Sequence, residues 1–453
     1  MALREPARFL ILVTVLLSNF LISPTGSYAQ SNATVLPSAV PNLNNDLFQL
    51  LETDERIKAA EKTSEAADSG QEQAFSSFLP NINFTSEKGR EVIDSPTTRG
   101  TGLDEQRETR MKGTVTLTQN LFSGGADSAS YRISGKQIQL ADLNLASTKS
   151  AVLLEGLTAH FSIVRDKQLL NYAIQAEAFT KEQLKLENEK VEKGKGIALD
   201  VLQAKSRLQI STQRKIQFKG QLEQSKTQFT YLFQYRPILN GAIDSELKLP
   251  QIPESLEDAL STALKNSAAL EASQTSVDVS RLGMGAAKAG YWPKFDVEAK
   301  YNYEEDAGGV IGIRRDWSIL LKASWTLFDG FSTYYGSRSA RSNYAASLSQ
   351  YDVAKKQIET DLAVSFQQLR TTLENKELME NGLRIAEEIV VARERMEKAG
   401  KETSINTLDA QSQLIDAKIN YTLAKYDEIL AAIRVVFNMG LLSLDDLVTR
   451  TPN

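Results

Sequence analysis

The chain has 453 residues, of which 52 are basic and 57 acidic, so that its net charge is −5, and it contains no cysteine. A mildly acidic balance without a long basic block argues against nucleic-acid binding. The lack of cysteine excludes disulfides and a lipid-modified N-terminal cysteine. The one histidine, His160, has no second histidine or cysteine with which to complete a metal site. We therefore expect a packed or surface histidine, with neither metal nor cofactor.

The N-terminus has the pattern of a secretory signal. Arg4 and Arg8 precede an apolar run over residues 9–22, and Ser27-Tyr28-Ala29 fits a small-x-small cleavage site. The sequence therefore predicts a signal peptide over 1–29, which we favour over a membrane anchor because the apolar run is short. No later segment offers about 18 apolar residues in a row. The mature chain, which starts with a flexible Ser/Asn/Pro-rich segment over 30–42, is expected to leave the cytoplasm without a helical anchor.

The first half of the mature chain contains both strand and helix patterns. The predicted elements are a helix (43–78), a strand (81–89), a polar loop (90–110), an alternating strand (111–121), a helix without proline (128–193), the turn Gly194-Lys195-Gly196 and a returning helix to about 236.

The second half follows a connecting segment and repeats this order. The predicted elements are the connection (237–254), a helix (255–290), a strand from Pro293 to Tyr303, a loop containing Glu304-Glu305-Asp306, a strand (317–327), a helix without proline (333–398), the turn Gly400-Lys401, a returning helix to 440 and a tail (441–453). The acidic loop is a weak candidate for a cation site, and a solvated loop is the favoured interpretation.

The repetition is visible in the residues themselves. Leu121-Phe122-Ser123-Gly124-Gly125 is echoed 206 residues later by Leu327-Phe328-Asp329-Gly330-Phe331. At the same offset, Leu202-Gln203-Ala204-Lys205-Ser206 falls on Leu408-Asp409-Ala410-Gln411-Ser412. A constant offset of this length indicates two copies of one unit rather than a solenoid array. We assign the copies to residues 43–236 and 255–440.

The strands alternate apolar and polar residues with aromatic residues near their ends, as membrane barrel strands do. A soluble sandwich is the alternative, but four strands are too few for one in a chain of this length. Four strands also cannot close a barrel, for which about eight is the usual minimum. Three copies of the chain would give twelve strands. The helices without proline would each be about 100 Å long, and their heptad spacing predicts antiparallel coiled-coil hairpins.

The duplication, the paired strands, the Leu-Phe-x-Gly corners and the segments after the turns (194–206 and 400–412) together resemble the TolC-type outer membrane factor family, over about residues 43–442. The resemblance implies an α+β membrane protein: a trimeric twelve-stranded β-barrel that continues into an α-helical periplasmic tunnel. It implies a passive exit duct for efflux or type I secretion in the outer membrane, with a periplasmic adaptor and an inner-membrane transporter as partners. A non-channel periplasmic coiled-coil or adaptor protein is the alternative, and nothing in the sequence indicates an enzyme.

The resemblance also implies site residues. Asp200 aligns with an aspartate that restrains the closed tunnel entrance, and Asn406 and Asp409 take the places of two pore-facing aspartates. Glu402 and Glu397 take the places of the basic residue and the tyrosine of the closing network, so the charge pattern of that network is altered here. For Asp409 the alternative is a solvated helix face.

The turns are the expected docking site for the adaptor. They comprise Lys193, Gly194, Lys195, Gly196, Ala399, Gly400 and Lys401. The glycines are also explained by helix termination alone. The tip lysines, which include Lys398, could complement helix C-termini or an acidic adaptor, and the sequence leaves both open.

Overall fold

The computed structural model describes residues 37–100, 106–240 and 247–447. The predicted signal peptide (1–29), most of the segment 30–42 and the end of the predicted tail lie outside these residues. Within the described part, no helix has the length and hydrophobicity needed to cross a membrane.

Helices and strands follow one another in the order expected for a duplicated chain. In sequence they are β1 (Ser38–Ala39), α1 (Leu43–Thr53), α2 (Glu55–Phe75), β2 (Asn81–Ile93), α3 (Pro96–Gly100), β3 (Gln106–Ser123), α4 (Ala126–Glu192), α5 (Ala198–Phe233), β4 (Arg236–Pro237), α6 (Leu256–Asn266), α7 (Ala268–Ala286), β5 (Lys294–Ala307), β6 (Val310–Ser324), α8 (Ser332–Lys398), α9 (Ser404–Asn438) and α10 (Leu444–Leu447).

The duplication appears in the helix bounds. Helices α4 and α8 are both 67 residues long, and their starts at 126 and 332 keep the offset of 206 residues found in the sequence. The returning helices α5 and α9 start at 198 and 404, again at that offset. We call α4 with α5 hairpin 1, and α8 with α9 hairpin 2. The predicted helical hairpins are therefore confirmed.

The long strands form one antiparallel sheet in the order β2-β3-β5-β6. The register places Phe84, Val115, Tyr301 and Trp317 side by side across the sheet. The adjacent row, on the opposite face, is Thr85, Thr114, Asn302 and Asp316. One face is therefore apolar and the other polar, as the period-2 pattern predicts.

The strands run farther than the sequence pattern suggested. The predicted polar loop (90–110) contributes residues to both β2 and β3, and Glu304, Glu305 and Asp306, predicted in a loop, lie in β5. Cross-strand ion pairs hold this charged end: Lys112 Nζ lies 3.1 Å from Glu304 Oε1, and Arg110 bonds Glu87 and Glu91. The fourth strand ends at Ser324 rather than at residue 327.

The corner between sheet and helix needs left-handed backbone. Gly124 and Gly125 have φ of 68° and 87°, and Gly330 and Phe331 have φ of 66° and 67° in the second copy. A Cβ on Gly124 would lie 2.3 Å from the carbonyl oxygen of Ala289, so glycine is required there by contact as well as by φ.

Each of two predicted helices is divided into two shorter helices in the structure. The helix predicted over 43–78 is interrupted at Asp54, and the helix predicted over 255–290 is interrupted at Ser267. Both residues have extended backbone, and their side chains accept hydrogen bonds from the backbone N–H groups of Arg56 and Leu270. Each is therefore the N-cap of a second helix.

One cluster of buried apolar side chains lies at the bases of the two hairpins, the ends of the returning helices opposite the turns, where they meet the short elements. It contains Leu47, Leu157, Phe161, Ile433 and Val436, all 2% exposed or less. Helix α1 packs there on α4, and the segment after α9 adds the buried Leu442 and Leu447. The predicted tail therefore contributes its first residues to the core.

Candidate functional site at the hairpin tips

Both hairpins end in the same turn. In hairpin 1, Lys195 N–H donates to Lys190 O at 2.9 Å and Gly194 N–H to Val191 O at 3.0 Å. In hairpin 2, Lys401 N–H donates to Met396 O and Gly400 N–H to Glu397 O, both at 2.9 Å. With φ of 67° and 71° at the glycines, these are two Schellman motifs, which satisfy the last carbonyls of α4 and α8.

The predicted docking residues are almost all on the surface. Lys193, Gly194, Lys195, Ala399, Gly400 and Lys401 are exposed, and Gly196 is half-buried. Lys193 Nζ, from the residue that follows α4, lies 3.7 Å from Glu189 Oε2 in the last turn of that helix. The two tips thus present exposed basic turns with the same Schellman geometry.

Glu402 and Glu397 occupy different surroundings in hairpin 2. Asn406 Nδ2 and Arg393 Nη1 both donate to Glu402, and they hold its pKa below the ordinary value. Ser404 Oγ donates to Glu397 Oε1 at 2.6 Å and lowers the pKa of that carboxyl group. Both carboxylates are therefore charged at neutral pH and have partners within hairpin 2.

Asp409 is paired with the other hairpin. Arg207 Nη1 of α5 donates to Asp409 Oδ1 of α9 at 2.8 Å, and Gln413 Nε2 donates to Asp409 Oδ2 at 3.1 Å. Seven residues farther from the tips, Arg214 bonds Asp416 in the same way. Sequence reasoning missed both arginines. The signal was present as two Arg–Asp combinations at the same separation of 202 residues.

Asp200 lies in a cleft between the hairpins. It is half-buried in the first turn of α5. The cleft has a volume of about 290 Å³, and its lining also includes Glu187, Lys190, Arg207 and Asn406. The structure thus brings Asp200 and Asn406 to one cleft and places Asp409 beside it through Arg207. Glu397 is not among the residues that line this cleft.

The last candidate from the sequence is the single histidine, His160. His160 is fully buried, with Nδ1 4.0 Å from Asp46 Oδ2 and its ring against Phe161. It is therefore a packed histidine. Across the described residues, no group of three or more His, Cys, Asp or Glu side chains could hold a metal ion.

Comparison with known proteins identifies the family. The sequence matches the profile described as "Outer membrane efflux protein" over residues 47–232 and 259–441. It is 22% identical to outer membrane protein TolC of Vibrio cholerae serotype O1, over 91% of this chain and 94% of that protein. It is 25% identical to the alkaline protease secretion protein AprF of Pseudomonas aeruginosa, over 88% and 84%.

The fold agrees with solved structures of outer membrane channels. The Campylobacter jejuni CmeC outer membrane channel is 17% identical and superposes with a TM-score of 0.74, over 89% of this chain and 87% of that one. The profile match covers both sequence copies and includes most of α4, α5, α8 and α9. The chain therefore belongs to the outer membrane efflux protein family, as an outer membrane exit duct that extends into the periplasm.

Proposed function

We propose that three copies of this chain form a passive outer membrane channel whose helical tunnel meets a periplasmic adaptor at the hairpin tips. The observation that carries the proposal is the sheet, which has a broad apolar face that is exposed in the protomer. Ile82, Phe84, Trp317, Ile319 and Leu321 are between 60% and 73% exposed. An exposed apolar patch of this kind belongs in lipid or in an interface.

Aromatic and charged side chains mark the two limits of that face. Tyr301 and Trp317 are paired residues on one row, and the next row on the same face is Tyr303 with Arg315, whose guanidinium carbon lies 5.6 Å from the tyrosine ring. At the opposite end, Trp325 Nε1 donates to Tyr291 O at 3.2 Å. Aromatic girdles at both interfaces are typical of membrane barrels.

The edges of the sheet support assembly. Within the described residues, β2 and β6 each pair with a neighbour on one side only. Unpaired backbone groups facing lipid cost several kcal/mol each. Pairing β2 of one copy with β6 of the next removes every edge when the ring closes. Three copies then give twelve strands, within the range of known barrels.

The hairpins determine the expected partners. Each long helix extends about 100 Å along its 67 residues, so the tips lie far from the sheet. The exposed basic turns at Gly194 and Gly400 fit docking by an adaptor that connects to an inner-membrane transporter, which supplies the energy. AprF is named for protease secretion and BepC of Brucella suis for efflux. Both classes of cargo are compatible with a duct.

We assign the closing region of the tunnel to the residues near the tips. Asp200 and Asn406 share a cleft between the hairpins, Glu402 bonds Asn406, and Glu397 bonds the start of α9. Asp200 is the proposed restraint between hairpins, so Asp200→Ala should raise the fraction of time the channel is open. Asp409 is the proposed pore-facing carboxylate.

Reconstitution tests the channel directly. Purified protein should be a trimer by mass measurement in detergent and should conduct ions in planar bilayers. The variant Ile319→Arg, in the middle of the apolar face, should lose about 2–4 kcal/mol of insertion free energy. Its matched control is Ser318→Arg on the polar face, which should insert normally.

Two results would contradict the proposal. A folded trimer that conducts no ions would favour a non-channel periplasmic spacer. Equal insertion of the two arginine variants would show that the apolar face does not contact lipid.

A further inference from the structure

Two ion pairs connect hairpin 1 to hairpin 2 within one protomer. Arg207 of α5 bonds Asp409 of α9, and Arg214 bonds Asp416. The two arginines are seven residues apart, as are the two aspartates, so the pairs repeat on the same helix faces. The side chains are 41% to 51% exposed. The row therefore lies at the surface of the protomer near the tips.

The carboxylate nearer the tip has both oxygens occupied. Asp409 Oδ1 accepts from Arg207 at 2.8 Å, and Asp409 Oδ2 accepts from Gln413 at 3.1 Å. A multivalent cation that approaches this carboxylate is repelled by the guanidinium group of Arg207 beside it. The positive and negative charges are also so close that their fields nearly cancel at distances approaching the Debye length, about 10 Å at 0.1 M salt.

The positive charge of Arg207 balances the negative charge of Asp409 under all ordinary conditions. A guanidinium group does not lose its proton in proteins, so Arg207 remains positive wherever Asp409 is negative. Exposed ion pairs contribute little to stability, so folding alone does not explain the pair. Its main physical consequence is the local electrostatic potential.

We propose that Arg207 determines the ion selectivity of the tunnel entrance by compensating the charge of Asp409. The inference rests on the proposed function, in which the tips line the narrow end of the tunnel. Three copies then present a ring of ion pairs with no net charge instead of a ring of carboxylates. Such an entrance discriminates weakly between cations and anions, whereas an uncompensated carboxylate ring favours cations.

The test uses the full-length trimer in planar bilayers under a KCl gradient, with LaCl3 as the multivalent blocker. Arg207→Gln should shift the reversal potential toward that of K⁺ and strengthen the La³⁺ block several-fold. Asp409→Asn should shift the reversal potential in the opposite direction, because Arg207 is then uncompensated. The double variant should return to the weak selectivity of the unmodified protein. Arg214→Gln is the matched control, with the same chemistry two helical turns farther from the tip, and should have a smaller effect.

The possible outcomes separate the two proposals. If no variant conducts, and the unmodified trimer does not conduct either, the proposed channel function fails and the inference fails with it. If the unmodified trimer conducts but Arg207→Gln keeps its reversal potential and La³⁺ block, the selectivity role alone is overturned. A rise in conductance without a change in reversal potential would show that Arg207 is a mechanical tie between hairpins, which also overturns the inference.

Discussion

The bases and the tips of the hairpins use similar polar groups in opposite surroundings. At the bases, Asp46 is 2% exposed and accepts a hydrogen bond from Tyr235 Oη at 2.9 Å, and His160 is fully buried beside it. At the tips, Arg207 and Asp409 are about half exposed. Polar groups removed from water strongly affect folding, whereas exposed ones mainly affect the local potential. The bases should therefore control stability, and the tips should control ion passage and docking.

Apolar side chains are also more tightly packed at the bases than at the tips. At the bases, Phe229 is fully buried, with its ring centroid 4.5 Å from that of Phe233 and 5.3 Å from that of Tyr235. Toward the tips, Ile197, Leu199 and Leu202 are more than 50% exposed in the protomer. Segments with few buried apolar contacts open locally at low free-energy cost. This is the property expected of an entrance that must move.

The largest effect is expected from Phe229→Ala at the bases. Removing this ring leaves a cavity among Phe233, Tyr235 and His160, so the free energy of unfolding should fall by about 3–5 kcal/mol. Denaturant titration followed by circular dichroism measures the change. The control is Gln228→Ala, which alters the exposed neighbouring residue and should have almost no effect. A loss below 1 kcal/mol for Phe229→Ala would mean that the bases are not the stable part of the molecule.

The second prediction concerns the pH dependence of stability at Asp46. Burial raises the pKa of this carboxyl group to about 6 from its ordinary 3.8, against the lowering effect of the hydrogen bond from Tyr235. The groups that face it are Tyr235, the backbone N–H of Asn42, and His160. Because the folded state holds this proton more tightly than the unfolded state, the contribution of Asp46 to stability is greatest below pH 4 and falls as pH rises through 6. The total loss is about 3 kcal/mol.

Asp46→Asn should remove the loss of unfolding free energy that Asp46 causes as pH rises. The difference in unfolding free energy between the variant and the unmodified protein should therefore change between pH 4 and pH 6 and stay constant above pH 6. Asp68→Asn, at an exposed aspartate of α2, is the control and should leave the pH profile unchanged. A profile that keeps its slope in Asp46→Asn would show that Asp46 titrates normally in the folded protein.

Sequence patterns that repeat locally predicted much of the fold. The strands, the long helices and the turns at Gly194 and Gly400 depend on neighbouring residues, and the bounds of α8 match the prediction to one residue. The caps at Asp54 and Ser267 were missed because the apolar pattern continues across them. The charged strand ends were missed because their pairing, as between Lys112 and Glu304, crosses the sheet.

The polar groups of the bases and the tips could not be paired from sequence. Asp46 and Tyr235 are separated by 189 residues, and Arg207 and Asp409 by 202. Such contacts arise from packing of whole helices, which a heptad pattern alone does not orient. The resemblance indicated Asp409 as a site residue but gave no indication of Arg207, so the compensation of its charge emerged from the three-dimensional arrangement.

A smaller effect is expected from Gly400→Ala at the tip of hairpin 2. The φ of 71° at this residue costs an alanine about 1–2 kcal/mol, and the cost falls on a turn that opens easily. Gly382→Ala is the matched control in the interior of α8, since no atom other than those of its chain neighbours and the adjacent backbone of the helix lies within 4 Å of its added Cβ. That variant should gain about 0.5–1 kcal/mol from helix propensity. Hydrogen exchange at the tip should rise only in Gly400→Ala, and equal exchange in both variants would exclude a strained turn.

The smallest effect is expected from the coupling of Arg214 with Asp416. A double-mutant cycle with Arg214→Gln and Asp416→Asn should give a coupling of about 0.2–1 kcal/mol, because both side chains remain partly in water. The pair Lys376–Glu428, whose side chains are 31% and 21% exposed, should couple more strongly, and the adjacent carboxylate of Glu428 raises the pKa of Lys376. Raising the salt concentration should weaken the coupling of Arg214 with Asp416 more than that of Lys376 with Glu428, since dissolved ions screen exposed charges more than partly buried ones. A larger or salt-independent coupling for Arg214 with Asp416 would mean that the pair is buried when three copies assemble. The part of the hairpins that determines stability would then extend from the bases to the level of this pair.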